Sequence, residues 1–504
     1  MYLVVIGVLS IILAFTRPPY ALTESAATTS WSVALATLIP AVAGLHFNRR
    51  ALRAIERHPA DPGQGHHVLS VGLMVLQLLL ALLHAGVLLT TSWMTLCRQA
   101  PVVGEWPGVA GLLAALPFLV AIVMVWLALY PADRALRQIA VETSLYRGRP
   151  VHPVWSLGQY VAFNLRHQVL FVVAPMLLIL VTRDLIDRYD EGLMRLHPFM
   201  PDMVLGLATA VVALVTPALL RHVWSTTRLA DGPLRDRLLF LCRKLRMRCR
   251  EILVWRSGGM IVNAAVMGVV APLRYVMITD GMLEQLEDAK IEAVFGHEAG
   301  HVKRHHILYF LLLAFISGCW ITVLSVHARQ LDPVTFQTLV ACVAGLLLLK
   351  WGVVFGWISR RFERQADVFG VRTLALSGLP CRLPCAVHVP GPHTDPAAEI
   401  ATRPPAARDL VDGDRLCATA AHVFGDTLND VAVLNGIPPE TRSWRHSSIA
   451  SRSRFVRQLA QEPPAVRRFE RSVLNIKRGI LAVALLSGVW AAWELRLWTV
   501  LSAS

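Results

Sequence analysis

Apolar runs close to one membrane thickness recur along the chain, separated by short polar segments. They are Tyr2 to Phe15, Trp31 to Phe47, Val68 to Thr90, Gly108 to Tyr130, about Arg166 to Val181, and Met203 to Leu220. Three more follow: Ile307 to Val326, Phe336 to Trp357 and Gly479 to Leu495. About 20 apolar residues span hydrocarbon as a helix, so the first, second and fifth runs are short and the rest sufficient. The pattern predicts about nine transmembrane helices. Tyr2 to Phe15 lacks a basic start, and Arg17-Pro18-Pro19 is no small-residue cleavage site, so this run reads as a membrane helix rather than a removed signal.

Between the sixth and seventh runs the pattern changes. Glu251 to Trp255 reads as a strand, Ser257-Gly258-Gly259 as a turn, and Met260 to Met267 and Arg274 to Thr279 as two further strands. Arg228 to Arg250 is dense in Arg, with Leu234, Leu238, Leu241 and Leu245 between. It fits an amphipathic helix on a membrane surface or against a folded domain, and equally a solvated basic face. Ser377 to Pro405 is rich in Pro and Gly and reads as a loop. Leu410 to Leu434 and Ile449 to Leu459 have helical spacing. The expected division is residues 1–221 as a membrane domain of about six helices, then 222–304 with the small sheet. A transmembrane hairpin follows at 305–358, a soluble part at 359–477 and a last membrane helix at 478–504.

Composition agrees. Of 504 residues 55% are hydrophobic and only 16% charged, against about 25% charged in soluble proteins. The net charge of +15 accompanies no nucleic-acid reading motif, so nucleic acid is excluded as a partner. The Arg residues cluster in alternate connections: Arg49, Arg50, Arg53 and Arg57 after the second run, Arg134, Arg137, Arg147 and Arg149 after the fourth. By the positive-inside rule these ends are cytoplasmic. Cysteines are scattered, with Cys319 and Cys342 inside apolar runs, which argues against a disulfide framework. Cys381 and Cys385, with His388 and His393 nearby, fit no zinc spacing well; a Pro-rich loop explains them as easily.

The chemistry sits at Phe295-Gly296-His297-Glu298-Ala299-Gly300-His301. Histidines four apart on a helix share one face, a turn apart, and can share one Zn²⁺. Glu298 occupies the general-base position of the H-E-x-x-H pattern. A polar helix face that happens to carry His and Glu would look the same, so the pattern needs a helix and a third ligand. Asp288 to Phe295 has good helix formers, and Asp280 is a helix-start signal. After two apolar runs, which return the chain to the same side, comes Ser359-Arg360-Arg361-Phe362-Glu363-Arg364-Gln365-Ala366-Asp367. Glu363 suits the third ligand, and Asp367, one turn on, suits the second nitrogen of a ligating imidazole. Gly300 leaves room for close approach of a backbone or substrate.

This order of motifs resembles the membrane zinc metallopeptidase family that holds the CAAX prenyl protease and the HtpX-like heat-shock proteases. Asn263 to Gly268 is similar to the family's NAxxxG segment, Thr279 to Leu283 to its SDGLL turn, and His446 to Arg452 to its HPSIxxR segment, with Ser447 at the usual Pro. The resemblance runs from about Ile252 to about Phe455. It implies a small α+β zincin-like catalytic domain in a predominantly α polytopic membrane protein, and one Zn²⁺ on His297, His301 and Glu363. It also implies oxyanion donors at His446 and Arg452 and an extended substrate fixed at Asn263. His446 as a surface histidine, and Asn263 as a turn-proximal asparagine, are the plainer readings.

The expected function is a membrane-embedded zinc endopeptidase cutting membrane-associated or misfolded proteins. Its site would face the cytoplasm, in the plasma (inner) membrane, with protein or peptide substrate and the lipid bilayer as partners. A CAAX prenyl endoprotease fits the same motifs. A non-catalytic membrane binding module is disfavoured by the intact His297, Glu298, His301 and Glu363. A transporter would show broken helices in paired positions, which the sequence does not.

Overall fold

Most of the apolar runs that fall within the described residues fold as helices longer than the runs themselves. The structure, a computed structural model, describes residues 25–59, 63–101, 106–146, 148, 151–196, 200–328, 331–379, 381, 387 and 413–495. The chain falls into two units, Met1–Thr227 and Arg228–Ser504.

The first unit holds α1 (Ala26–Arg57), α2 (Gly63–Thr90), α3 (Trp93–Arg98), α4 (Val109–Tyr146) and α5 (Leu157–Asn164). A π segment, Leu165–Val169, leads into α6 (Leu170–Arg188), then α7 (Asp190–Leu196) and α8 (Met200–Val223). α1 begins at Ser25, whose hydroxyl accepts from Thr28 N at 3.4 Å. α4 carries Pro131, which cannot donate to the helical ladder. Beside it Ala132 N donates to the buried Asn48 Oδ1 of α1 at 2.9 Å, so a side chain from a neighbouring helix satisfies backbone that water cannot reach. Outward faces are apolar, with Trp31 and Leu207 largely exposed.

The second unit opens with β1 (Thr226–Arg228), the boundary falling inside that strand. Then come α9 (Pro233–Lys244), β2 (Glu251–Trp255), β3 (Ala264–Met267), β4 (Tyr275–Thr279), α10 (Asp280–Gln285) and α11 (Asp288–Lys303). After these run α12 (His306–Ala328), α13 (Pro333–Leu349), a π segment Lys350–Val354, and α14 (Phe355–Leu376). The last helices are α15 (Ala418–Leu434), α16 (Ile449–Gln461) and α17 (Pro463–Glu494).

The sheet order is β1-β2-β4-β3. β2 runs parallel to β4 from Glu251↔Tyr275 to Trp255↔Thr279. β3 is antiparallel to β4, from Ala264↔Ile278 to Met267↔Tyr275. β4 is buried along its whole length, as an apolar Tyr-Val-Met-Ile run covered on both faces should be. Leu238 and Leu241 of α9 enter the same core as Ile252, Val276, Ile278 and Phe295. The amphipathic helix thus lies on the folded domain. A second core joins Phe362, Leu374, Phe424, Val456 and Phe469.

Among the described residues, seven helices have the length and hydropathy to cross a membrane: Ala26–Arg57, Gly63–Leu88, Val109–Thr143, Leu157–Arg188, Met203–Val223, His306–Leu324 and Pro463–Glu494. The run Tyr2 to Phe15 lies outside the described residues. The run Phe336 to Trp357 is helical, but its α-helical stretch is 17 residues, Pro333–Leu349, before the π segment intervenes. Lys350, at that junction, turns inward: its ammonium donates to Leu313 O at 3.0 Å and Ser317 Oγ at 2.6 Å on α12.

Candidate metal centre

α11 and α14 cross closely enough for their side chains to meet. The crossing depends on Gly300: a Cβ there would stand 3.0 Å from Ala366 Cα and 3.0 Å from Phe369 Cβ. A backbone, rather than a substrate, takes the space that glycine leaves. α11 starts afresh at Asp288 instead of continuing from Asp280. Leu286 between them is extended. The cap of α10 is Thr279, whose Oγ1 accepts from Met282 N at 3.3 Å. Asp280 instead holds the preceding turn, accepting from Ser257 N and Gly258 N, each at 2.9 Å.

The crossing brings three of the expected residues together. His297 Nε2 and His301 Nε2 are 3.2 Å apart. Each lies 3.6 Å from a Glu363 carboxylate oxygen. Tetrahedral Zn²⁺ with Zn–N near 2.0–2.1 Å sets neighbouring donors roughly 3.3–3.5 Å apart. The donor set, two imidazoles and a carboxylate, and its spacing therefore fit a single zinc ion.

The surroundings hold these groups. Asp367 Oδ1 lies 2.9 Å from His297 Nδ1, in a bent contact whose N–H does not point along the line. Arg452 grips Asp367 with two nitrogens, Nε at 2.9 Å and Nη2 at 2.6 Å. Its Nη1 lies 3.4 Å from Glu363 Oε2. His446 Nδ1 is 3.0 Å from the same oxygen, and this imidazole is partly exposed. Ser447, next to it, has φ +64° and donates its amide to Ser443 O at 3.1 Å. Proline could do neither, so the departure from the family segment is built into the backbone here.

Burial and neighbouring charges compete to set the protonation of the centre. Burial works against charge on Glu363, yet the His446 hydrogen bond and the Arg452 charge outweigh it and hold the carboxyl well below its usual value. Asp367 is likewise held low, burial being outweighed by Arg452 and His297. Burial pushes His301 down to about 3, which leaves it neutral and able to ligate. His297 goes the other way: burial lowers it, but Asp367 raises it further. Glu298 is pushed up to about 7, chiefly by burial, with Glu363 adding and His297 opposing. Its Oε2 accepts from Val266 N at 3.3 Å, on the sheet's edge strand β3.

Asn263 stands just before β3, exposed, its Oδ1 accepting from Ala264 N at 2.9 Å. Sequence reading misses two supports. Asn435 clamps Val262, accepting from its N at 3.1 Å and donating to its O at 2.8 Å. His306 Nδ1 lies 3.0 Å from His301 Nδ1. The only sign of the latter is a histidine five residues beyond the pattern. Of the Cys381 cluster, Cys385, His388 and His393 lie outside the described residues; Cys381 Sγ is 3.7 Å from Cys417 Sγ.

Residues 243–408 match the family model described as Peptidase family M48. No curated protein matches the chain. Among solved structures, the chain is similar to the crystal structure of S. mikatae Ste24p, at 15% identity and a TM-score of 0.36, over 69% of this chain and 86% of that one.

Proposed function

We propose, on the match of residues 243–408 to the model of Peptidase family M48, that this multi-pass membrane protein is a zinc-dependent endopeptidase acting on membrane-associated or misfolded proteins. The observation that carries the reading is the convergence of His297, His301 and Glu363, with Glu298 one residue from the first ligand. His297, His301 and Glu363 would hold the zinc, which would supply Lewis acidity and lower the pKa of water to about 7.

The chain's own residues do the rest. Glu298 accepts the proton of the attacking water on its carboxylate and delivers it to the departing amine nitrogen. Its raised affinity for protons suits a group that must both take and give one near neutrality. Asp367 orients His297 through Nδ1, and Arg452 fixes Asp367. Arg452 is largely committed to that pair and to Glu363, so among the two expected oxyanion donors the partly exposed His446 is the better placed. An extended substrate pairs along β3, the edge strand, past Asn263. By the positive-inside rule, the Arg-rich connections support a site on the cytoplasmic side of an inner membrane.

The test is cleavage of an unfolded reporter protein by the purified, detergent-solubilised chain, wild type beside Glu298→Gln. Zinc-dependent cutting by the wild type alone supports the reading. Equal cutting by both would remove Glu298 as the base, and no cutting of unfolded or prenylated peptides by a zinc-loaded wild type would remove the enzyme.

A further inference from the structure

His301 has two ring nitrogens, and only a bare Nε2 can face a metal. What decides which nitrogen carries the proton lies outside the motif. His301 Nδ1 and His306 Nδ1 are 3.0 Å apart. Two nitrogens at that distance share one proton, and either ring can own it.

The answer comes from the other end of a chain of contacts. Gln365 donates from Nε2 to Glu470 Oε2 at 2.6 Å. Glu470 is also paired through Oε1 with Arg372 Nη1 at 2.7 Å, so it is an ionised carboxylate, which only accepts. Gln365 Oε1 takes the Lys477 ammonium at 2.8 Å, a group that only donates. Both ends therefore force the same amide orientation, which ordinary symmetry of the amide would leave open. His306 Nε2 sits 3.0 Å from that oxygen and must donate to it. A neutral His306 then has a bare Nδ1, and the shared proton belongs to His301 Nδ1. His301 Nε2 is left with its lone pair, 3.2 Å from His297 Nε2 and 3.6 Å from Glu363 Oε1.

The placement is built into the backbone. His305 has φ +58°, a left-handed residue that ends α11 and turns the chain, so that His306 opens α12 folded back beside His301. The Lys477 ammonium is held in place by Arg304 O at 2.7 Å, from the same turn.

We propose that His306, oriented by Gln365 between Lys477 and Glu470, is a positioning residue that sets the tautomer of His301 for metal binding. This rests on reading His297, His301 and Glu363 as the metal ligands. The competing role for His306 is packing: its ring is stacked on Phe362, centroids 4.4 Å apart and planes 9° apart. Two substitutions separate the roles. His306→Phe keeps the stack and removes the acceptor. His306→Gln keeps an acceptor oxygen and removes the ring.

The experiment is Zn²⁺ affinity of the full chain in detergent, by competition with a chromophoric chelator, for wild type, both variants and Glu363→Ala. The expected result is a loss of about 10- to 100-fold in His306→Phe, with His306→Gln retaining most of the affinity and Glu363→Ala binding least. The reverse order of the two His306 variants, equal losses in both, or no change in His306→Phe would overturn the relay while the metal site stood. Glu363→Ala binding like the wild type would instead bring down the metal-site reading, and the relay with it.

Discussion

Replacing Gly300 by Ala tests whether the spacing of two helices sets the metal centre. A Cβ at 300 would meet Ala366 Cα at 3.0 Å, Phe369 Cβ at 3.0 Å and Ala366 O at 3.3 Å. Carbon atoms rest comfortably at about 3.5–4.0 Å, so α11 and α14 must part locally by roughly 0.5–1 Å. Two of the three opposing atoms belong to the backbone and cannot swing aside. Overpacking of this kind costs about 1–3 kcal/mol, and removing a glycine from a helix interior returns about 1. The net is a loss of roughly 0–2 kcal/mol. The larger effect falls on the ligands. His297 and His301 ride on α11, Glu363 on α14, and their 3.6 Å separations would widen past 4 Å. Metal–ligand distances tolerate only about ±0.2 Å, so zinc affinity should fall by at least about tenfold, or 1.4 kcal/mol. The control is Gly318→Ala in α12, where a Cβ meets nothing within 4 Å; it should leave affinity unchanged. Chelator competition on the detergent-solubilised proteins reads both, with a thermal scan alongside. Gly300→Ala binding zinc within twofold of the wild type would refute the claim that helix approach sets the site.

Four further outcomes follow from the same geometry. In metal-stripped protein, Glu298 binds its proton more tightly folded than unfolded, at about 7 against 4.5. That contribution is present below pH 4.5 and is lost as pH rises through 7, by about 3 kcal/mol. Glu298→Gln should therefore be the more stable protein at pH 8 and gain nothing at pH 4.5; thermal scans across pH check it. Arg452→Ala leaves the Asp367 carboxylate buried with only the His297 imidazole beside it, which costs about 3–5 kcal/mol; Arg452→Met with Asp367→Asn should recover much of the lost melting temperature, though not zinc affinity. Ser447→Pro, which restores the family's residue, should destabilise by about 3 kcal/mol or more, because φ is +64° and the amide is bonded; a neutral result by denaturation would mean this turn is not as described. A single cysteine introduced at position 331 should label from outside intact cells and one at 382 should not, and the opposite pattern would reverse the proposed orientation.

The parts of this protein that are legible in the sequence are those whose cause is local. Glu251–Trp255 reads as a strand and is one, because a β-rich run is closed by Ser257 and two glycines. The two histidines of α11 share a face because four residues make about one helical turn, and Glu363 and Asp367 follow the same rule on α14. The reading goes wrong where a neighbour decides. The expected strand Met260 to Met267 is a strand only over Ala264–Met267, since Val262 is taken by Asn435, 173 positions along the chain. Arg452, for which the resemblance implies an oxyanion donor, has two of its nitrogens on Asp367, a partner 85 positions away that no local pattern supplies.

The hardest thing to foresee is the protonation of the proposed metal ligands, because the contacts that bear on it lie far apart along the chain. His301 reaches His306 five residues away, but His306 reaches Gln365 across 59 and Gln365 reaches Lys477 across 112. No local pattern pairs these residues. Each becomes intelligible only through what it is able to donate or accept. A buried ammonium has no acceptor and a buried carboxylate no donor. An amide caught between them has one orientation, and the histidine beside it one tautomer. A motif can thus name the ligands of a metal while the remainder of the fold determines whether those ligands have lone pairs to offer.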